Sequence, residues 1–133
     1  MHLRFVESPV LKPDDVARLR VAVGWDAREK QLEKIIGNTY STAACYDHEN
    51  LVGFVDVISD GVDDAFIRNL LVHPDYQRYG IALKLLKIII RRTKADRIKT
   101  VNVLFEPELT DLYRKAGFRI ISGGMIDHEN EGF

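Results

Sequence analysis

"VHPDYQRYGIALKLLKIII", residues 72–90, opens as the end of a strand, turns at a proline, shows one glycine and continues as a helix. Pro74 biases His73 toward an extended backbone, so the strand runs up to the turn and stops there. Past Gly80, the residues Lys84, Lys87, Arg91 and Lys94 recur at spacings of three and four and make one wet stripe. Ala82, Leu85, Leu86 and Ile89 fall on the core side of the same helix. A strand passing so abruptly into a helix leaves the helix start exposed. Its unpaired N–H groups and the positive end of its dipole lie near Arg78 to Gly80, which suits an anion such as a phosphate. Gly80 lacks a Cβ, so an anion's oxygens can approach the backbone, and the small Ala82 keeps the next contact open. The plainer reading is that Gly80 only eases a turn, and one glycine does not separate the two.

On the N-terminal side, "LRFVE" reads as a first strand, and Pro13 with Asp14 and Asp15 suits the start of a helix carrying Val16, Leu19, Arg20 and Val23. "VGWD" breaks it, and a second amphipathic segment over residues 27–36 ends at Gly37-Asn38. "YSTAACY" and "LVGFVDVIS", separated by "DHEN", and then "AFIRNLLV" after "DGVDD" read as three successive antiparallel strands. Beyond the long helix come a strand, "KTVNVLF", a short helix from Pro107 to Gly117, an extended "FRIIS" and a small strand at "MIDHE". The order β-α-α-β-β-β-α-β-α-β predicts an α+β fold, a mixed sheet with helices on both faces.

The chain of 133 residues is read as one domain, residues 1–133, and its apolar fraction of 46% with a formal net charge of −1 describes an ordinary globular protein. That balance gives no pull toward nucleic acid or an anionic membrane. Cys45 is the one cysteine and has no intrachain partner; with no apolar leader or spanning run, a reducing cytoplasm is the default. His2, His48 and His128 lack metal-like spacing, so no metal site is proposed, and His73 reads as a turn residue. Cys45 reads as a small core residue, and the basic helix stripe, with Arg92, as a solvated face.

Neither the dinucleotide pattern G-x-G-x-x-G nor the phosphate-loop pattern G-x-x-x-x-G-K-[ST] occurs. "VHPDYQRYGIALKLL" instead resembles the acetyl-coenzyme A signature of the GNAT superfamily of N-acetyltransferases. There a V-x-P turn leads into [QR]-x-x-G-x-[GA], here Gln77, Arg78, Tyr79, Gly80, Ile81 and Ala82. A second element, L-Y-x-x-x-G-F, stands at Leu112, Tyr113 and on to Gly117 and Phe118. The two come in the family's order, and the resemblance covers essentially the whole chain. It implies a GNAT fold, a mostly antiparallel mixed sheet splayed between its fourth and fifth strands.

The resemblance further implies acetyl-CoA as co-substrate and a primary amine, on a small molecule or a peptide, as acceptor. The backbone of Leu70, Leu71 and Val72 would line the pantetheine arm like an added strand, and Arg78 to Leu83 would offer N–H groups to the pyrophosphate. Tyr113 stands where the family usually places its general acid, and a phenol stays protonated at neutral pH. The base is less defined. "KTVNVLF" carries no carboxylate, so Glu106, the buried or outward Asp56, or a chain of waters remain open. Relatives often have Asn where this chain has Glu106. Trp25 lies in a region that borders the acceptor channel in relatives, or caps the core. A non-catalytic acyl-CoA-binding module is the alternative reading, while the net charge argues against a nucleic-acid partner. Homodimers are common among relatives, and nothing in the chain fixes the acceptor.

Overall fold

The computed structural model describes residues 1–129. Its elements run β1 (Leu3–Glu7), α1 (Pro13–Ala22), α2 (Glu29–Ile36), β2 (Ser41–Asp47), β3 (Asn50–Ser59), β4 (Asp64–Val72), α3 (Ile81–Ala95), β5 (Thr100–Val103) and α4 (Thr110–Lys115). Single 3₁₀ turns lie at Pro74–Tyr76 and Pro107–Leu109. The strands lie side by side in chain order. β1 to β4 pair antiparallel, whereas β4 and β5 pair parallel. The switch follows from the connection, because α3 carries the chain back across the sheet and β5 must enter in the direction of β4.

The sheet is covered on both faces, as its apolar strands require. Val55 and Val57 of β3 point to a core closed by Ile81, Leu85, Leu86 and Ile89 of α3 and by Tyr113 of α4. Phe54, one residue out of phase, points to the other core with Val16 and Leu19 of α1, Leu32 of α2 and Leu71 of β4. Each of these large side chains contributes about 1.5–3 kcal/mol by leaving water. Gly53 matters on the α3 side: a Cβ there would stand 2.8 Å from Ile81 Cγ2 and 3.2 Å from Leu85 Cδ1. Its bareness lets the first turn of α3 sit against the sheet.

The β4–β5 ladder begins at Asp64 opposite Thr100 and stops at Ile67 opposite Val103, while β4 runs on to Val72. The strands therefore part halfway along β4. At the parting point β4 carries a bulge. The β3–β4 register slips between Phe54 and Asp56, and Asn69 takes a left-handed φ of 54°.

The expected strand at "FRIIS" and the small one at "MIDHE" are not formed; residues 118–127 carry no helix or strand assignment. Gly117 (φ 104°) turns the chain away from α4, and Gly123 then passes so close to Leu104 that a Cβ would meet its Cδ2 at 2.6 Å. The segment follows the exit of β5 without joining its ladder, leaving Ile121 and Ile126 at 68% and 80% exposure. Strand-forming residues do not make a strand without a partner in register. No helix among the described residues is long and apolar enough to cross a membrane.

Candidate functional site

The turn between β4 and α3 is built as its residues suggest. His73 Nδ1 accepts the Asp75 N–H at 3.1 Å, closing the 3₁₀ turn, and the Tyr76 hydroxyl donates to Asp47 at the end of β2. Asp47 also accepts the His2 N–H at 2.8 Å, so three chain segments meet behind the turn. These hydrogen bonds hold the Asp47 carboxyl below its usual pKa. Beyond it, Arg78 (φ 72°) and Gly80 (φ 74°) are both left-handed and bracket Tyr79, a backbone path of the kind that turns successive N–H groups toward one concavity. Gly80 is the N-cap of α3, with no side chain capping it and nothing within 4 Å of where its Cβ would stand. The helical ladder starts with Lys84 N–H donating to the Gly80 carbonyl at 3.1 Å. The N–H groups of Ile81, Ala82 and Leu83 precede it and meet no acceptor among the described residues.

Next to this turn lies the gap between β4 and β5. His73 N–H donates to the Val52 carbonyl at 2.8 Å, so His73 and Leu71 are the residues whose polar groups face β3. Alternation then turns the N–H and C=O of Val72, and of Leu70 two residues earlier, toward the side that β5 has left. Of the three strand residues expected to line a cofactor, Leu70 and Val72 offer backbone hydrogen bonds to the gap, and Leu71 spends its own within the sheet.

Tyr113, on α4, is 2% exposed, stacked on Phe105 at 4.5 Å between centroids and edge-on to Phe118 at 5.5 Å. Its hydroxyl has no hydrogen-bond partner among the described residues. Desolvation pushes its pKa up to about 12, so the group is a held proton across the physiological range. Glu106, in contrast, is exposed where the chain enters the Pro107 turn, and its carboxylate pairs with no group among the described residues. Past the last paired residues, β4 leads on to Arg78, Tyr79 and Gly80 and β5 to Phe105, which stacks on Tyr113, so these two sets of residues follow the two strands that part.

The sequence matches the family model of an acetyltransferase (GNAT) domain over residues 10–128. The chain belongs to the GNAT family. It is 31% identical over 109 residues to an uncharacterized N-acetyltransferase, ycf52, of Gracilaria tenuistipitata var. liui, covering 78% of this chain and 60% of that one. This chain thus spans about three fifths of the length of that relative. Among solved structures, a GNAT-family acetyltransferase of Streptococcus pneumoniae TIGR4 superposes with a TM-score of 0.82 at 28% identity, covering 93% of this chain and 96% of that one. A Staphylococcus aureus protein of unknown function shares the fold at a TM-score of 0.86 and 24% identity, covering 94% and 98%.

Asp56 is not on an outward face: it is 1% exposed, on the α1 side of β3, and accepts Arg68 Nε at 3.0 Å and Asn69 Nδ2 at 3.2 Å. Burial raises its pKa, against the pull of Arg68 and Asn69. Trp25, in the loop between α1 and α2, is 46% exposed with the Arg20 guanidinium over its ring at 5.1 Å. Lys84, from the basic stripe, lies over Phe5 at 5.1 Å, and Arg92 pairs with Asp96 at 2.9 Å, so neither is aimed at the turn. Cys45 is fully buried. No group of three or more metal-ligating side chains gathers among the described residues. A concavity of about 710 Å³ between α1, the β2–β3 hairpin and Tyr76 includes none of the expected site residues. Sequence reasoning did not single out Asn69; the signal was an Arg-Asn pair, Arg68 and Asn69, interrupting the apolar run "AFIRNLLV", since Asn is the residue that most readily takes a left-handed conformation in place of Gly.

Proposed function

We propose that this GNAT domain, residues 1–133, is an acetyl-CoA-dependent N-acetyltransferase that acetylates a primary amine by direct attack in a ternary complex. The observation that carries it is the free row of amides at Ile81, Ala82 and Leu83, behind a bare Gly80, opening beside a gap edged by Val72 and Leu70. These features fit acetyl-CoA: a diphosphate needs convergent N–H donors and no side chain in the way, and an amide-bearing arm needs an unpaired strand edge. When bound, acetyl-CoA supplies an acetyl group activated as a thioester.

The chain's residues then have distinct tasks. Arg78 to Leu83 hold the diphosphate, and the Leu70 to Val72 backbone aligns the arm. An N–H directed at the thioester carbonyl stabilises the charge that grows on its oxygen; such donors are each worth about 3–4 kcal/mol. Tyr113 holds the proton needed by the departing sulfur, and burial keeps that proton in place. Glu106 or a chain of waters accepts the proton of the amine, and Trp25 borders the acceptor. Cytoplasmic location and a homodimer remain part of the proposal.

Calorimetry with acetyl-CoA tests the binding step, and thiol release against a library of amines tests transfer. Absence of binding at millimolar acetyl-CoA would falsify the reading. The second reading, an acyl-CoA-binding regulatory module, is favoured by the lack of a carboxylate on β5 and the exposed Glu106; tight binding with no thiol release from any amine supports it.

A further inference from the structure

Asn69 sits in mid-strand with φ 54°, a left-handed backbone rarely adopted inside a strand, and its side chain is used at both ends. Nδ2 donates to Asp56 Oδ1 at 3.2 Å and Oδ1 accepts from Arg20 Nη1 at 2.9 Å. A carboxylate on one side and a guanidinium on the other admit only this orientation of the amide, because a flipped amide would set acceptor against acceptor and donor against donor. Each partner is anchored in turn. Asp56 is buried against Arg68, while Arg20 donates through Nε to the Asp26 carbonyl at 2.6 Å and covers Trp25. Contacts therefore run unbroken from β3, through the bulge of β4, to the loop between α1 and α2. The bulge stands where β4 leaves β5, the last paired residue being Ile67.

We infer that Asp56 and Arg20, gripping the two ends of the Asn69 amide, clamp β4 in its bulged path and couple the β4–β5 gap to the Trp25 loop, which makes Asn69 a positioning residue. The catalytic consequence rests on the acetyltransferase reading. The physical reason is register. If the bulge relaxed, its extra residue would be absorbed, and a one-residue slip would turn the polar groups of Leu70 and Val72 away from the gap and toward β3.

Asn69→Gly tests this, because glycine takes the left-handed backbone without strain while lacking both ties. Acetyl-CoA and the amine of the library that releases thiol fastest serve as substrates, and amide hydrogen exchange over residues 68–72 is followed in parallel. The expected result is a kcat lower by about tenfold or more, as misplacement near a reacting centre produces, a smaller change in the KM for acetyl-CoA, and faster exchange in β4. Arg20→Gln should lower kcat similarly, and the double variant should fall no further than the worse single one. Wild-type kcat and exchange in Asn69→Gly, a lowered Tm with intact kcat, or fully additive losses would each overturn the clamp. Should the wild-type protein bind no acetyl-CoA, the enzymatic reading fails, and exchange alone decides: faster in Asn69→Gly supports the clamp, unchanged overturns it.

Discussion

Arg68 reaches Asp56 through a 3.0 Å hydrogen bond in which the carboxylate is 1% exposed and the guanidinium side chain 29%. The charge that cannot reach water is thus the negative one. Burial raises the Asp56 pKa despite this partner. A raised carboxyl pKa means that Asp56 contributes stability present below its unfolded value, about 4, and lost as pH rises through the folded value. Arg68→Met strips the counter-charge, so a loss of about 3 kcal/mol is expected at pH 7, shrinking as pH falls toward 4. Urea unfolding at the two pH values checks this; equal losses at both would contradict it.

Tyr113→Phe keeps the ring stacked on Phe105 and removes only the hydroxyl. The kcat should fall about a hundredfold while acetyl-CoA binding holds, the size expected for a lost general acid. Full activity in the variant would remove Tyr113 from the chemistry.

The same tyrosine governs alkaline stability. Its folded pKa of about 12 lies above the unfolded value of about 10, so the stability it contributes is complete below pH 10 and is lost between pH 10 and 12. That difference corresponds to about 2–3 kcal/mol for this buried group. Unfolding in that window should be shallower with pH in Tyr113→Phe than in the wild type.

At Gly80 the constraint is the backbone, since a Cβ would meet nothing within 4 Å in the protein. Gly80→Ala should cost about 1–2 kcal/mol through its φ of 74°, and Gly80→Val more. Both should weaken acetyl-CoA binding by about tenfold or more, because the side chain fills the approach to the amides. Calorimetry reads this directly, and unchanged affinity would detach Gly80 from the cofactor.

Gly53→Ala tests the support beneath the amides. The added methyl collides with Ile81, Leu85 and Cys45, so a loss of about 1–3 kcal/mol is expected. Because Ile81 opens α3, affinity for acetyl-CoA should fall together with Tm. A drop in Tm with affinity intact would show that the first turn of α3 is positioned independently of the sheet.

Much of this was legible in the sequence, for local reasons. Pro74 and Gly80 dictate backbone angles of their own, and the spacing of Leu85, Leu86 and Ile89 shows which side of α3 is buried. The splay was carried by the family resemblance of residues 72–82 and 112–118, not by periodicity. What could not be read depends on partners far along the chain. Ile120 and Ile121 favour a strand, but whether one forms depends on an edge in register, and Gly123 steers them past β5. The burial of Asp56 is likewise set by Asn69 and Arg20, which approach it from other elements.

The β4–β5 pairing joins segments separated by the whole of α3, and just four residue pairs hold it. β2, β3 and β4, by contrast, are linked by short turns and pair over seven and six positions. Closing the long crossover costs chain entropy that this brief ladder repays poorly. The strand β5 should therefore be among the later parts of the sheet to assemble and the easier ones to detach. That seam should open before the remaining four strands separate from one another.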